Sequence, residues 1–304
     1  MPYRNPSKKV AQVRIAGKDR KGIIATATAF LYKEGCNIED IDQRLLDDYL
    51  TMNMLVDYSD LASPLPQFIN KLKKAALTVG CEAEFNPLES KKIKNVALLV
   101  SKESHCLLNL LGDMKKKQIK GQPVVIIGNH PDLKSIAEKN KIPFYYVAAE
   151  KKKLHEARVL KILEKFQPDL IVLARYMQIL SPEFVFRHEG KIINIHPSLL
   201  PAFPGPRPYH QAFNKGVEVI GVTAHFVTTD LDEGPIITQD CARIDKTKDT
   251  VDTFIAKGRN LEAKVLSRAV KLFADDRLAL RRGKVIDNKK LKLLLERTQQ
   301  FYKE

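Results

Sequence analysis

Glycine, proline and long apolar runs are all scarce in this sequence of 304 residues. With 14 glycines and 16 prolines, it is neither a collagen-like nor a low-complexity chain. Because no apolar run approaches the ~20 residues that a membrane-spanning helix needs, we expect a soluble protein that does not enter a membrane. The hydrophobic fraction of 44% is that of a globular chain, and the length suits one large or two ordinary domains.

Cysteine is equally rare, with Cys36, Cys81, Cys106 and Cys241 far apart and in no CxxC spacing. This pattern argues against a disulfide scaffold or a zinc knuckle and favours the reduced thiols of a cytosolic protein. The N-terminal stretch MPYRNPSKKVAQVRI carries charges where a signal peptide needs an apolar segment. We therefore expect a cytoplasmic protein.

The motifs that bind nucleotide phosphates and metals are missing as well. Neither GxGxxG nor GxxxxGK[ST] occurs, so nucleotide phosphates have no ready cradle. Three histidines, His196, His210 and His225, could in principle bind a metal, but their spacings match no compact ligand signature. We expect no metal and no permanently bound cofactor.

What the sequence does have is positive charge, with 51 Lys and Arg against 36 Asp and Glu. Residues 1–90 hold 12 basic and 12 acidic side chains, whereas residues 91–304 hold 39 and 24, so the whole excess lies in the second part. No aromatic platform for stacking bases accompanies the basic tail. The charge distribution therefore favours two different domains and does not indicate a nucleic-acid partner.

The first part has the pattern of a small α/β unit. Strands are predicted at Ala11–Ile15, Leu50–Tyr58 and Cys81–Phe85, and helices at Ile23–Glu34 and Pro64–Val79. Gly35 follows the first helix, where a C-cap is expected. With one more strand between the first helix and Leu50–Tyr58, which the apolar pattern does not locate, the order strand, helix, strand, strand, helix, strand is that of a ferredoxin-like fold.

The second part alternates short apolar runs with helical segments, as a parallel sheet covered on both faces requires. This pattern predicts a Rossmann-like, doubly wound, mostly parallel sheet, with ligands beyond the carboxyl ends of its strands. We therefore expect the site in the loops after Ala174, Ile195 and Val227. The predicted strands are Val96–Val100, Val124–Ile127, Phe144–Val147, Leu170–Ala174, Lys191–Ile195, Val219–Val227 and Ile236–Asp240.

These patterns divide the chain into four segments. Residues 1–88 form the ferredoxin-like domain and residues 89–94 form a polar linker. Residues 95–287 form the doubly wound domain, and residues 288–304 form a C-terminal helical extension with its leucines on one face.

Polar residues cluster in two of the expected loop regions. Asn194 and His196 alternate with Ile195, so their side chains share one face of an extended strand. An amide beside an imidazole can polarise a carbonyl and stabilise the oxyanion formed from it. Asp232 lies among turn-forming residues, and a carboxylate near His196 would favour the charged imidazole. Taken singly, each residue could equally be a cap, a core histidine or a turn former.

Longer strings carry a family resemblance. NIHPSLLPAFPG, preceded by LARYMQILSPEFV and followed by GVTAHFVTTDLDEGPIITQD, resembles the 10-formyltetrahydrofolate-dependent formyltransferases. Within that family the chain is most similar to the formyltetrahydrofolate deformylases, because SKESHCLLNLL, PYHQAF and DLDEGPII resemble their motifs. The front stretch GKDRKGIIATATAFLYKEGCNIEDIDQ resembles an ACT regulatory domain.

The resemblance implies an enzyme that hydrolyses 10-formyltetrahydrofolate to tetrahydrofolate and formate, which supplies purine synthesis and balances the one-carbon pool. Asn194, His196 and Asp232 match the family's catalytic residues. The glutamate carboxylates of a folate would suit a basic domain. The residues that match the folate-binding loops are Arg175, Tyr176, Met177, Gln178, Ile179 and Leu180 in one loop and Thr228, Thr229, Asp230 and Leu231 in the other.

The ACT resemblance implies an amino-acid effector bound at a subunit interface, and hence a homo-oligomer such as a dimer of dimers. The residues that match its effector site are Asp19, Gly22, Ile23, Asn37 and Ile38.

Other acceptors than water stay open. Pro197 and Leu199 replace the His and Phe usual in deformylases and give the HPSLLP form of glycinamide ribonucleotide formyltransferases. That transfer would need a phosphate site, which the family builds from a Gly-rich turn, whereas SKESHC has no glycine. Formylation of initiator methionyl-tRNA would call for a C-terminal RNA-binding domain. A non-catalytic amino-acid sensor would not need Asn194, His196 and Asp232 together.

Overall fold

The computed structural model describes residues 9–46, 48–88, 92–245, 247–281 and 283–288. The chain divides into two compact units, one containing Met1–Ser90 and the other Lys91–Asp287. Among the residues the structure describes, no helix is both long enough and apolar enough to cross a bilayer.

The first unit is a four-stranded antiparallel sheet with two helices, in the strand order β2-β3-β1-β4. Phe68, Leu31 and Met52 are fully buried in its core. The predicted ferredoxin-like order is confirmed. Its elements are β1 (Val10–Lys18), α1 (Ile23–Lys33), β2 (Asn37–Leu46), β3 (Tyr49–Asp57), α2 (Leu65–Thr78) and β4 (Cys81–Pro87).

The strand β2 is the one that the apolar pattern does not locate. Its sequence, NIEDIDQRLL, lies at the edge of the sheet and most of its side chains are exposed or half-buried. An edge strand needs no buried face along its whole length, so the alternation that reveals β3 is weak here. Gly35, between α1 and β2, has the positive φ of 79° expected of a C-cap glycine.

The second unit is a seven-stranded sheet, in the order β11-β10-β9-β8-β5-β6-β7, with helices on both faces. The expected mostly parallel, doubly wound architecture is confirmed, and every apolar run predicted as a strand contributes one. The elements are β5 (Lys94–Val100), α3 (His105–Lys115), β6 (Gly121–Gly128), α4 (Lys134–Lys139), β7 (Phe144–Tyr146), α5 (Lys152–Phe166), β8 (Leu170–Ala174), α6 (Pro182–Arg187), β9 (Ile192–His196), α7 (Pro208–Asn214), β10 (Val219–Phe226), β11 (Ile236–Arg243), α8 (Val251–Ala274), β12 (Leu278–Arg281) and β13 (Lys284–Asp287).

The strand direction changes at β10. The neighbouring strands β7, β6, β5, β8 and β9 are all parallel, whereas β10 is antiparallel to both β9 and β11. Phe226, near the carboxyl end of β10, is therefore level with Ile193, near the start of β9. The loop after Val227 therefore leaves the sheet at the edge where β9 begins, opposite to the carboxyl edge at which the loops after Ala174 and Ile195 lie.

The end of the second unit also differs from the sequence prediction. Leu278–Arg281 and Lys284–Asp287 pair as a two-stranded hairpin, which no apolar run marked. The strands are only four residues long, too short for a periodic pattern to stand out. The predicted C-terminal helical extension, residues 288–304, lies outside the described part of the chain except for Asn288.

Candidate active site

Asn194 and His196 lie two residues apart on β9, and their side chains share one face of the sheet. Ile193 and Ile195 face the opposite way and pack into the core that includes Val265 of α8. The face that carries Asn194 and His196 therefore lies on the same side as α5 and α6. The strand alternation predicted from the sequence positions the two side chains as expected.

Asp232 reaches this face from the loop after β10. Its Oδ2 lies 3.3 Å from His196 Nδ1 and accepts a hydrogen bond of 3.2 Å from the amide of Gly205. Asp232 has a positive φ of 59°, and a Cβ on Gly234 would collide with the carbonyl oxygen of Phe226. This tight turn lets the loop fold back from the far edge of the sheet toward His196.

The charge of Asp232 is maintained by these contacts. Burial alone raises its pKa, but the hydrogen bond and charge of His196, with the Gly205 amide, outweigh that effect and hold the pKa below the usual range of an aspartate. His196 Nε2 lies 3.1 Å from the Phe203 carbonyl oxygen. Both ring nitrogens of His196 thus lie close to oxygen acceptors, the Asp232 carboxylate and the Phe203 carbonyl.

His225 is a part of the site that the sequence reasoning considered only as a metal ligand. It lies opposite Asn194 on β10, and its Nδ1 is 2.9 Å from the Phe226 carbonyl oxygen, which can only accept. Its Nε2 is therefore the acceptor for the Asn194 amide at 3.3 Å. Burial lowers the pKa of His225 and keeps the ring neutral, although the Phe226 carbonyl and Asp232 act the other way.

A hydroxyl of β10 supports the loop that follows His196. Thr223 Oγ1 donates to the Ser198 carbonyl at 2.7 Å and accepts from the Leu200 amide at 3.0 Å. Gln239 of β11 donates to the same hydroxyl and to the Leu200 carbonyl. The segment that leads to Phe203 and Gly205, the partners of His196 and Asp232, is held by buried hydrogen bonds.

The loop Arg175–Leu180 follows β8 and has no regular secondary structure. It nevertheless exposes apolar side chains, with Met177 63% and Ile179 64% exposed. Leu231 in the other predicted folate-binding loop is 55% exposed, and Thr228 Oγ1 donates to the Asp230 carbonyl. Tyr176 differs from its neighbours, because its side chain is buried and is bonded through its hydroxyl to His155.

A buried carboxylate, Glu262 of α8, lies at the start of this loop and was not indicated by the sequence. It accepts a hydrogen bond from Tyr209 at 2.7 Å and lies 3.0 Å from His105 Nε2 and 3.3 Å from Arg175 Nε. Burial raises the pKa of Glu262, but His105, Arg175 and Tyr209 together lower it below the usual range. His105 and Glu262 are 157 residues apart in sequence, so no local motif could signal the contact.

The same cluster is a group of metal-ligand type within the described residues. Atoms of His105, Cys106 and Glu262 lie within 4.8 Å of one another. Burial raises the pKa of the Cys106 thiol, so the thiolate that a metal would need is disfavoured. Since the Glu262 carboxylate is already hydrogen-bonded by Tyr209 and His105 and lies at ion-pair distance from Arg175, the arrangement is that of a buried polar cluster.

The residues expected to bind an amino-acid effector lie at two ends of α1. Gly22, with a φ of 94°, and Ile23 begin the helix, whereas Asn37 and Ile38 begin β2 after it. The Asp19 amide donates to the Asp48 carbonyl at 2.6 Å. A helix of 11 residues is roughly 16 Å long, so the two groups are far apart within one chain.

Comparison with known proteins assigns both units to families. Residues 9–86 match the ACT domain family and residues 94–270 match the formyl transferase family. A formyltetrahydrofolate deformylase of Bacillus subtilis is 38% identical over 288 residues, covering 93% of this chain and 95% of the relative.

Solved structures agree with this relationship. The crystal structure of a formyltetrahydrofolate deformylase from Pseudomonas syringae pv. tomato has a TM-score of 0.65 at 32% identity, covering 93% of this chain and 95% of its own. Glycinamide ribonucleotide transformylase 1 from Symbiobacterium toebii has a TM-score of 0.62 at 29% identity. The match covers 95% of the transformylase chain but only 65% of this one.

Fold and site therefore define a folate-dependent formyl transferase domain joined to an ACT domain. More particularly, the chain belongs to the formyltetrahydrofolate deformylase family. The resemblance and the fold class expected from the sequence are both confirmed.

Proposed function

We propose that this protein hydrolyses 10-formyltetrahydrofolate to formate and tetrahydrofolate, with water as the acceptor. The observation that carries the proposal is the match to a deformylase over 93% of the chain, ACT domain included. The formate released would supply purine synthesis and help to balance the one-carbon pool.

The geometry supports assigning the chemistry to Asn194, His196 and Asp232. One N–H of Asn194 is used by His225, and the second would donate to the formyl oxygen as it becomes tetrahedral. His196, whose Nδ1 lies against Asp232, would add a second donor through Nε2 when the substrate displaces its contact with the Phe203 carbonyl. The buried neutral His225 orients the Asn194 amide and is a positioning residue in this scheme.

Asp232 would hold the attacking water and take up its proton. The new C–O bond forms at the formyl carbon, the C–N10 bond breaks, and a proton passes to the departing folate nitrogen. The lowered pKa of Asp232 keeps its carboxylate ionised at neutral pH, so that it can accept a hydrogen bond from the attacking water.

The pterin would lie against the loop Arg175–Leu180, with the loop of Thr228, Thr229, Asp230 and Leu231 closing over it. The exposed side chains of Met177, Ile179 and Leu231 supply an apolar surface for a flat ring. Backbone groups of the loop Arg175–Leu180 would supply the polar contacts. Tyr176 would contribute only its backbone, because its side chain is buried.

Transfer to glycinamide ribonucleotide is the second candidate, favoured by Pro197 and Leu199 in the HPSLLP segment. The loop after β5 argues against it. It has no glycine to form a phosphate cradle, and its His105 is bound to the buried Glu262.

Regulation by a small amino acid is the proposed role of the ACT domain. Since Gly22 and Asn37 are separated by the length of α1, a second copy of the chain would be needed to bring both groups to one effector. A homo-oligomer, such as a dimer of dimers, follows from this proposal. We also propose a cytoplasmic location and the domain division 1–88, 89–94, 95–287 and 288–304.

Incubating the purified protein with 10-formyltetrahydrofolate alone tests the acceptor. Hydrolysis predicts equal amounts of tetrahydrofolate and formate without any added amine. A parallel reaction with glycinamide ribonucleotide should give no formylated nucleotide. Product formation that depends on the nucleotide, or on charged initiator tRNA, would overturn the proposal in favour of a transferase.

A further inference from the structure

Two adjacent polar residues on α5, His155 and Glu156, are buried although the chemistry proposed above does not use them. They are 4% and 8% exposed, on a helix whose Val159 and Leu163 pack into the core on the active-site face of the sheet. Burying a carboxylate and an imidazole side by side is costly unless both make specific hydrogen bonds. Their partners are therefore informative.

Glu156 holds the end of the loop Arg175–Leu180. Its Oε1 accepts a hydrogen bond of 2.7 Å from the backbone amide of Ser181, the residue directly after the loop. Ser181 in turn caps α6 through its hydroxyl, which accepts from the Phe184 amide at 3.2 Å. The carboxylate thereby fixes the point where the loop joins the next helix.

His155 holds the beginning of the same loop. Its Nδ1 lies 3.2 Å from the Ala148 carbonyl, which can only accept, so in the neutral ring Nε2 accepts from the hydroxyl of Tyr176. Burial raises the pKa of Tyr176, which keeps its hydroxyl protonated as the donor. Two adjacent residues of α5 thus hold the loop by hydrogen bonds near both of its ends.

The residues between these two points are the ones that project into solvent. Within the described residues, two further side-chain contacts reach the backbone of this stretch: the Met177 amide donates to Ser101 Oγ at 2.9 Å, and the Met177 carbonyl accepts from the Gln178 side-chain amide at 2.7 Å. The apolar side chains of Met177 and Ile179 remain more than 60% exposed, although contact between apolar surface and water is unfavourable. A loop held in this form loses little further freedom when a ring binds to it, and binding is correspondingly stronger.

We propose that His155 and Glu156 are positioning residues that preorganise the loop Arg175–Leu180 for the folate. This inference rests on the proposed role of the loop in binding the pterin. Both residues act through the loop backbone and Tyr176, and neither needs to touch the substrate. Their loss should weaken folate binding while leaving the reaction at the formyl group, held by Asn194 and Asp232, nearly unchanged.

The test compares Glu156→Leu with Glu156→Gln in the full-length protein. Leucine removes the acceptor for the Ser181 amide, whereas glutamine keeps it. We expect KM for 10-formyltetrahydrofolate, and the Kd for tetrahydrofolate measured by titration, to rise about three- to tenfold in Glu156→Leu with kcat within about twofold. Glu156→Gln should restore both constants, and His155→Leu should behave as Glu156→Leu does.

Two controls separate this role from general stability and from the role of the loop itself. Val159→Ala, on the same helix, lowers the melting temperature by opening a core cavity without touching the loop, so KM should stay unchanged. Ile179→Asp places a charge on the loop surface and should raise KM. Unchanged KM in Glu156→Leu, or an equal rise in Val159→Ala, overturns the positioning role. If Ile179→Asp also leaves KM unchanged, the loop does not bind the pterin.

Discussion

Asn194 offers the most direct single-residue test of the proposed chemistry, because its half-buried amide has one hydrogen on His225 and one to give to the substrate. We predict that Asn194→Ala lowers kcat by about 100- to 1,000-fold, the usual effect of removing one oxyanion donor. Steady-state kinetics with 10-formyltetrahydrofolate measure this. Asn140→Ala, which loses an exposed amide at the end of α4, should keep wild-type kcat.

The Asp232 carboxylate should make the stability of the protein depend on pH. Its pKa is lowered in the folded state, so its ion pair with His196 adds stability above the ordinary aspartate pKa of about 3.9 and loses it as pH falls below that value. We predict that Asp232→Asn is less stable than wild type at pH 7 and that the difference narrows progressively below about pH 4. Urea unfolding across this range measures it, and a constant difference would contradict the pair.

The three residues proposed to carry the chemistry differ in how visible they are in the sequence. Asn194 and His196 are two residues apart on a recognisable strand, so a period of two is enough to predict that their side chains share a face. Asp232 is 36 residues beyond His196, and a turn-rich sequence alone does not say where a loop folds back. Glu262 and His155 also make their contacts with residues distant in sequence, and the sequence patterns did not indicate either of them.

At the scale of elements, two glycines within helices separate the effect of intrinsic helix propensity from the effect of side-chain packing. Gly112 in α3 has open space where a Cβ would be, whereas a Cβ on Gly258 in α8 would collide with the ring of Tyr209. We predict that Gly112→Ala stabilises the protein by about 0.5–1 kcal/mol. Gly258→Ala should destabilise it by about 1–3 kcal/mol, because the displaced ring binds Glu262. Urea denaturation of both variants measures the opposite signs.

Elements are also where pattern reading succeeds and fails for identifiable reasons. Buried parallel strands such as β5 and β8 need continuous apolar runs, and the sequence shows them. The edge strand β2 and the hairpin β12–β13 have no such requirement and were not located. The direction of β10 is invisible in its composition, since an apolar run reads the same in either direction.

At the scale of the whole molecule, the ACT domain should couple an amino acid to catalysis. Because the two groups of proposed effector residues are separated by the length of α1, the proposed response would require copies of the chain to associate. We predict an oligomer by gel filtration with light scattering, and a change of about fivefold or more in KM or kcat with one of the small amino acids. Asn37→Ala should abolish the response, while Thr28→Ala, in the middle of α1 and away from both groups, should retain it.

A monomer that binds no amino acid in a calorimetric screen would contradict that prediction.

The charge of the molecule is also divided unequally between its two parts. The first 90 residues are neutral and the remainder carries the whole excess of +15, which suits attraction of an anionic folate by the domain that also holds Asn194 and His196.

The sequence by itself determined the two-domain plan, the family, and the pair on β9, because all three follow from local periodicity and contiguous motifs. Only the tertiary structure decided that β10 runs antiparallel, that Asp232 returns to His196, and that His155, Glu156 and Glu262 hold the loop Arg175–Leu180. The physical reason is that these last features depend on hydrogen bonds between distant segments. Their geometry exists only once the chain has folded around its sheet.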